Sequence, residues 1–220
     1  MGRSAIPCRF RSVYDAVVAP VAISAARFES YIQIPAILTL PTDAGTAICI
    51  TVDSTIATNA LSASGLTTLR VFIDGEASLR AALRDTLFMR AACACVEADG
   101  QWRMLDKPPI APAGFAADEA LLPAASSEHS AYGLLSEYFA FPDKFDFFDI
   151  DLAALVAVIP AGAKRLTLRI ALSELRHDAP VARILRTLTE ANLVLGCTPV
   201  VNLFPQAATP MPDRPVDSES

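Results

Sequence analysis

Glu137-Tyr138-Phe139-Ala140-Phe141-Pro142-Asp143-Lys144-Phe145-Asp146-Phe147-Phe148-Asp149-Ile150 gathers five of the chain's eleven phenylalanines and a tyrosine into fourteen residues. Ser130 can cap a helix running to about Phe139, with Leu134, Leu135 and Tyr138 on its buried side. Pro142 stops that helix, because its ring removes a donor and clashes with the preceding turn. Lys144 to Asp149 then alternates as a strand does, Phe145 and Phe147 opposing Asp146 and Phe148. The stretch therefore predicts a helix-to-strand corner. Its aromatics can be core or an interface hot spot, and core accounts for most of them, since few aromatics in a chain serve partners.

A second stretch, Leu195-Gly196-Cys197-Thr198-Pro199-Val200-Val201-Asn202-Leu203-Phe204-Pro205-Gln206, is apolar with turn formers at fixed places. Gly196 suits a left-handed end to a helical tail over 192–195, and Thr198 to Phe204 follows as a strand. Upstream, period-two patterns at Val21/Ile23/Ala25, Ile48/Ile50/Val52 and Leu69/Val71/Ile73 predict strands with one buried face. Leu79, Ala82, Leu83, Thr86, Leu87 and Arg90 take helical spacing within 76–91, with Asp74 and Glu76 suiting the dipole at its start. Asp99-Gly100 between 93–98 and 101–105 is the pair a type I′ hairpin turn prefers. Leu166, Leu168, Ile170 and Leu172 mark another strand. Val181, Ile184, Leu185 and Leu188 mark a helix for which Asp178 is the candidate cap.

This order predicts an α+β fold of largely antiparallel, sandwich-like sheets with about three helices packed on them. A strand-rich part covers 1–75 and an α+β part packed on it covers 76–210, possible as one continuous domain, with a frayed polar tail at 211–220. Hydrophobic residues make up 53% of the chain, above the usual share, which leaves apolar surface for other chains. A net charge of −6 argues against nucleic acid or an anionic membrane as main partner. No apolar run reaches the ~20 residues of a membrane span. Cys8, Cys49, Cys93, Cys95 and Cys197 form no paired framework, which fits a reducing cytoplasm.

Catalytic chemistry is hard to find. The histidines are His129, in a polar loop with Ser127, and His177, in the turn Arg176-His177-Asp178. A hydrolase would need Asp118, His129 and His177 brought together, yet no nucleophile elbow or triad spacing supports it. Asp143, Asp146, Asp149 and Asp151 interleave with apolar residues as the wet side of a strand, and glycines are scattered rather than gathered in a phosphate loop. The residues therefore name no catalytic, cofactor or metal site, and a generic ligand-binding β-domain stays open as an alternative.

Leu134 to Phe145 with Phe147-Phe148-Asp149, and Leu195 to Gln206, resemble the central signatures of the TssF (VasA, ImpG) family of type VI secretion baseplate proteins. Pro7-Cys8-Arg9-Phe10-Arg11 with Tyr14-Asp15, Leu69 to Glu76, and Phe115 with Asp118 to Pro123 match in the family's order. Leu193 departs, standing where many members carry an aromatic. The resemblance implies the middle portion of a longer structural subunit, not an enzyme. It implies a wedge component around the spike hub beneath the contractile sheath. The partners implied are a TssG-like subunit, a second TssF copy, and TssK- and TssE-like subunits, in the cytoplasm and docked at the inner membrane. It supplies no catalytic residue and no local partner-contact motif.

Overall fold

The computed structural model describes residues 9–105, 107–121 and 130–202. Its largest sheet runs in the order β2-β3-β9-β5-β6, from Val21–Glu29, Ala44–Ser54, Arg165–Ser173, Ala91–Ala98 and Gln101–Leu105. A second sheet has the order β10-β4-β8-β7, from Leu193–Leu195, Thr68–Ile73, Phe147–Asp151 and Ile110–Pro112. A short ribbon pairs β1 (Arg11–Ser12) with β11 (Val200–Val201). Every pairing is antiparallel, as expected of the α+β class. Both larger sheets combine strands from before and after residue 75.

The inner faces of the two sheets share one hydrophobic cluster. Ile48, Ile50, Leu168 and Ile170 meet Val71, Ile73, Phe148 and Ile150 there, joined by Leu83 and Leu87 of helix α1 (Ala77–Met89). That helix buries Leu79, Ala82, Leu83, Thr86 and Leu87, the face its spacing predicts. Asp99 and Gly100 both take positive φ, +50° and +77°, so the hairpin turn is of the expected primed kind.

Four readings change. β3 is buried on both faces from Thr46 to Val52, with small Ala47, Cys49 and Thr51 on its outer side. Arg169, registered opposite Cys49, spreads there against the Trp102 ring at 4.5 Å. Residues 193–195 are strand β10 rather than helical tail, since they add to the edge of β4; Gly196 does take the left-handed φ of +70°. Helix α4 (Pro180–Leu185) starts after Ala179, while Asp178 is occupied by the Arg176 guanidinium at 2.7 and 3.0 Å. Finally, Leu152–Val158 forms helix α3, capped by Asp151, whose side chain accepts from the Ala154 amide at 2.9 Å. With α2 (Ser130–Ala140), four α-helices are present among the described residues. The tail expected at 211–220 and the strand end at 203–204 lie outside those residues.

Candidate interaction surface

Pro142 opens a 3-10 turn over Pro142–Phe145 instead of leading straight into a strand, and β8 begins only at Phe147. The turn drops Lys144 into the interior, where it has no exposed surface. Its ammonium is paired with the buried carboxylate of Glu137, whose Oε1 also accepts from the Leu121 amide at 2.8 Å. Two charges buried this deeply persist only when matched. The pair thus ties helix α2 to the turn that follows it.

The two signature stretches meet through Tyr14. Its ring packs edge-on against Phe147 at 5.3 Å, and Phe147 in turn contacts Phe72 at 4.8 Å. The Tyr14 hydroxyl donates to the Lys144 carbonyl at 2.7 Å, and its amide donates to Thr198 Oγ1 at 3.0 Å. Burial, and then the nearby Glu119 charge, push the Tyr14 hydroxyl pKa well above its ordinary value. Gly114 passes so close, at φ +94°, that a β-carbon there would lie 2.7 Å from that hydroxyl.

Charged side chains lace the outside of this corner. Arg70 grips Asp149 with two 2.8 Å bonds and reaches Glu119 at 2.7 Å while lying 4.5 Å over the Tyr14 ring. Arg80 binds both Asp143 and Asp146, and Arg84 donates to Asp146 at 3.1 Å. Burial raises the Asp146 pKa, with the Arg80 and Arg84 charges opposing that rise. These are structural ion pairs that tie β4 and α1 to the corner.

The outer side of α2 departs from expectation. Leu135 and Tyr138 are exposed, not buried, and so are Tyr132 and Phe139. From 131 to 140 only Leu134 and Glu137 are not exposed, although Tyr138 leans back on Phe145 and Arg84. Aromatic contact runs on from Phe139 to Tyr138, from Tyr138 to Phe145 and from Phe145 to the exposed Phe115, at 5.7, 5.4 and 5.1 Å. Core still accounts for Phe145, Phe147 and Phe148. Exposed apolar patches of this kind mark contact surfaces.

Of the hydrolase alternative's residues, the two that are described lie on different sheets. Asp118 is exposed in the loop after β7, on the smaller sheet. His177 is exposed after β9, on the larger sheet, stacked on Tyr31 at 5.0 Å. His129 lies outside the described residues. Burial raises the Cys49 pKa strongly and the Cys95 pKa to about 11, so neither thiol is poised for chemistry. Among the described residues, no group of three or more His, Cys, Asp or Glu is arranged to hold a metal ion. A cleft of about 430 Å³ between Val17, Val18, Leu66 and Leu195 has Arg70 and Asp149 on its wall, bonded to each other. No helix among the described residues is long and apolar enough to cross a membrane.

Comparison with known proteins points to one assembly. A family model described as "Type VI secretion system, TssF" matches residues 1–220. A chain in a cryo-electron microscopy structure of the type VI secretion TssK-TssF-TssG baseplate subcomplex is 27% identical, with a TM-score of 0.66. The match covers 96% of this chain and 37% of that one, so the sequence spans little more than a third of that relative. Comparison with curated protein sequences gives no significant match.

Proposed function

The chain belongs to the TssF family of the type VI secretion system, and from that membership we propose that it works as a structural element of the baseplate wedge. The observation that carries this reading is the family match along the whole chain, seconded by the likeness to a chain of the TssK-TssF-TssG subcomplex. TssG- and TssK-like subunits are its partners on that reading, with a TssE-like subunit and a second TssF copy completing the wedge. The assembly sits in the cytoplasm, docked at the inner membrane around the spike hub.

The physical mechanism is burial of apolar surface between subunits, held in fixed geometry by a stiff body. Two sheets closing on one core supply that stiffness. The buried Glu137–Lys144 pair and the Tyr14 contacts lock the aromatic corner to it. The separate, exposed positions of Asp118 and His177 favour assembly over hydrolysis.

Co-expression of the full-length protein with TssG- and TssK-like subunits, followed by affinity purification and mass measurement, tests the proposal. A stoichiometric complex is expected. Separate elution of folded subunits refutes it.

A further inference from the structure

We propose that residues 197–202 form a hinged arm, latched to the body by Thr198 and swinging about Gly196. The arm supplies one strand of the β1–β11 ribbon, which joins neither larger sheet. That ribbon pairs Arg11 with Val201 and Ser12 with Val200, and Arg11, Ser12 and Val200 are exposed. So short a ribbon, wet on its outer rungs, is marginal by itself. What holds it closed lies further in.

Pro199 has no amide, so the ladder cannot continue through it as a donor. Its carbonyl still accepts from the Val13 amide at 2.9 Å. The next rung is built from a side chain instead. Thr198 Oγ1 accepts from the Tyr14 amide at 3.0 Å and donates to the Tyr14 carbonyl at 2.8 Å. One hydroxyl thus serves both backbone groups of Tyr14. Tyr14 is also fixed independently of that rung, by its hydroxyl on the Lys144 carbonyl and its ring against Phe147. Breaking the Thr198 rung therefore frees the 197–202 side and leaves the Tyr14 side in place. That asymmetry decides which strand moves.

The hinge is as specific as the latch. Gly196 takes a φ of +70°, and a would-be β-carbon there meets nothing within 4 Å. It has both the conformational freedom and the room to absorb a backbone rotation. Just upstream, Leu193–Leu195 is held on β4, so rotation begins at the first residue past that edge. The 430 Å³ cleft lies inside the same clasp. Asp15, Val17 and Val18 continue from β1 along one wall, while Leu195, Gly196 and Cys197 lead to β11 along the other. Cys197 rides on the arm and packs, when latched, against the small cluster of Tyr14, Ala113 and Phe147. The device has two arrangements: an arm pinned along β1 beside a narrow cleft, and an arm released with the cleft walls parted.

Iodoacetamide labelling of the folded protein, read by peptide mass spectrometry, follows the arm. Cys197 reports its release. Buried Cys49 reports global unfolding, and half-buried Cys93 on β5 is the fixed reference. Thr198→Val keeps the side-chain shape and removes both bonds, so Cys197 should label about tenfold faster or more. Cys49 and Cys93 should keep their rates. Thr198→Ser retains the hydroxyl and should stay within about twofold of the unmodified protein. Low urea should leave the Cys197 rate nearly flat, because local release exposes little surface, while the Cys49 rate climbs steeply. An unchanged Cys197 rate in Thr198→Val overturns the latch. So does an equal rise at Cys49, which makes Thr198 a part of the global fold, or a Cys197 rate with the urea dependence of Cys49. A Thr198→Ser rate as fast as that of Thr198→Val overturns it as well, since the hydroxyl would then hold nothing.

Discussion

Replacing Lys144 by Met probes the buried charge pair that the corner depends on. Methionine matches the length and apolar stem of lysine, so packing beside Phe145 is largely kept. What disappears is the ammonium, 5.0 Å from the Phe145 ring and bonded to Glu137. Glu137 keeps its bond from the Leu121 amide but loses its cation in a site only 5% exposed. Breaking such a pair from one side costs about 3–5 kcal/mol, mostly from removing the counter-ion of a buried charge. A chain of this size shifts its thermal midpoint by about 2–4 °C per kcal/mol, so a drop of roughly 6–20 °C is expected.

The double variant Glu137→Gln/Lys144→Met separates pairing from packing. Glutamine retains an oxygen for the Leu121 amide and carries no charge to strand. Its combined cost should fall short of the sum of the single costs by about 2 kcal/mol or more. Urea unfolding followed by circular dichroism, with midpoints and slopes fitted together, measures all four corners of the cycle. A cost for Lys144→Met below about 1 kcal/mol, or strictly additive singles, refutes the claim that this pair holds α2 in place.

Gly114→Ala should destabilise by about 2–3 kcal/mol, from its positive φ and the crowding against Tyr14. Gly133→Ala should instead gain up to about 1 kcal/mol in the isolated chain, and differential scanning calorimetry of the two gives opposite shifts. Asp146, raised in the folded state, favours folding most below the ordinary aspartate pKa of about 4. That contribution is lost as pH rises through the folded value, so Asp146→Asn should flatten the stability profile over that interval in pH-dependent unfolding. Thiol labelling of the native protein, read by peptide mass spectrometry, should modify Cys93 and Cys197 but leave Cys49 and Cys95 unmodified until urea is added.

Much of the fold was legible because local pattern and tertiary demand agreed. Period-two runs at β2, β3, β4 and β9, the helical spacing of α1 and the Asp99-Gly100 turn all became the elements they predict. The misses arise where local pattern is ambiguous or a distant partner decides. Leu152 to Val158 is too apolar and too short for its period to choose between strand and helix, and only the Asp151 cap marks it. Asp178 had the chemistry of a cap, but Arg176 two residues earlier competes for the same carboxylate. Residues 193–195 become strand only because β4 offers them an edge.

The exposed face of α2 was misread for a more instructive reason. Apolar residues at helical spacing are ordinarily assigned to the core, which places Leu135 and Tyr138 inward. That assignment presumes the polar positions of the helix seek water. Here Glu137 seeks Lys144 instead, and a matched interior cation outbids solvent for it. Once Glu137 points inward, helical geometry obliges Leu135, Phe139 and Tyr132 to point out. The buried ion pair and the apolar ridge are therefore two sides of one rotation of the helix. A signal for it exists in the sequence: a lysine with no polar neighbour but aspartates, set among phenylalanines, seven residues after a glutamate amid Leu, Tyr and Phe. If the pair were replaced by residues that let α2 roll, the ridge would gain a route into the core. Its exposure would then fall without any change in the surface residues themselves.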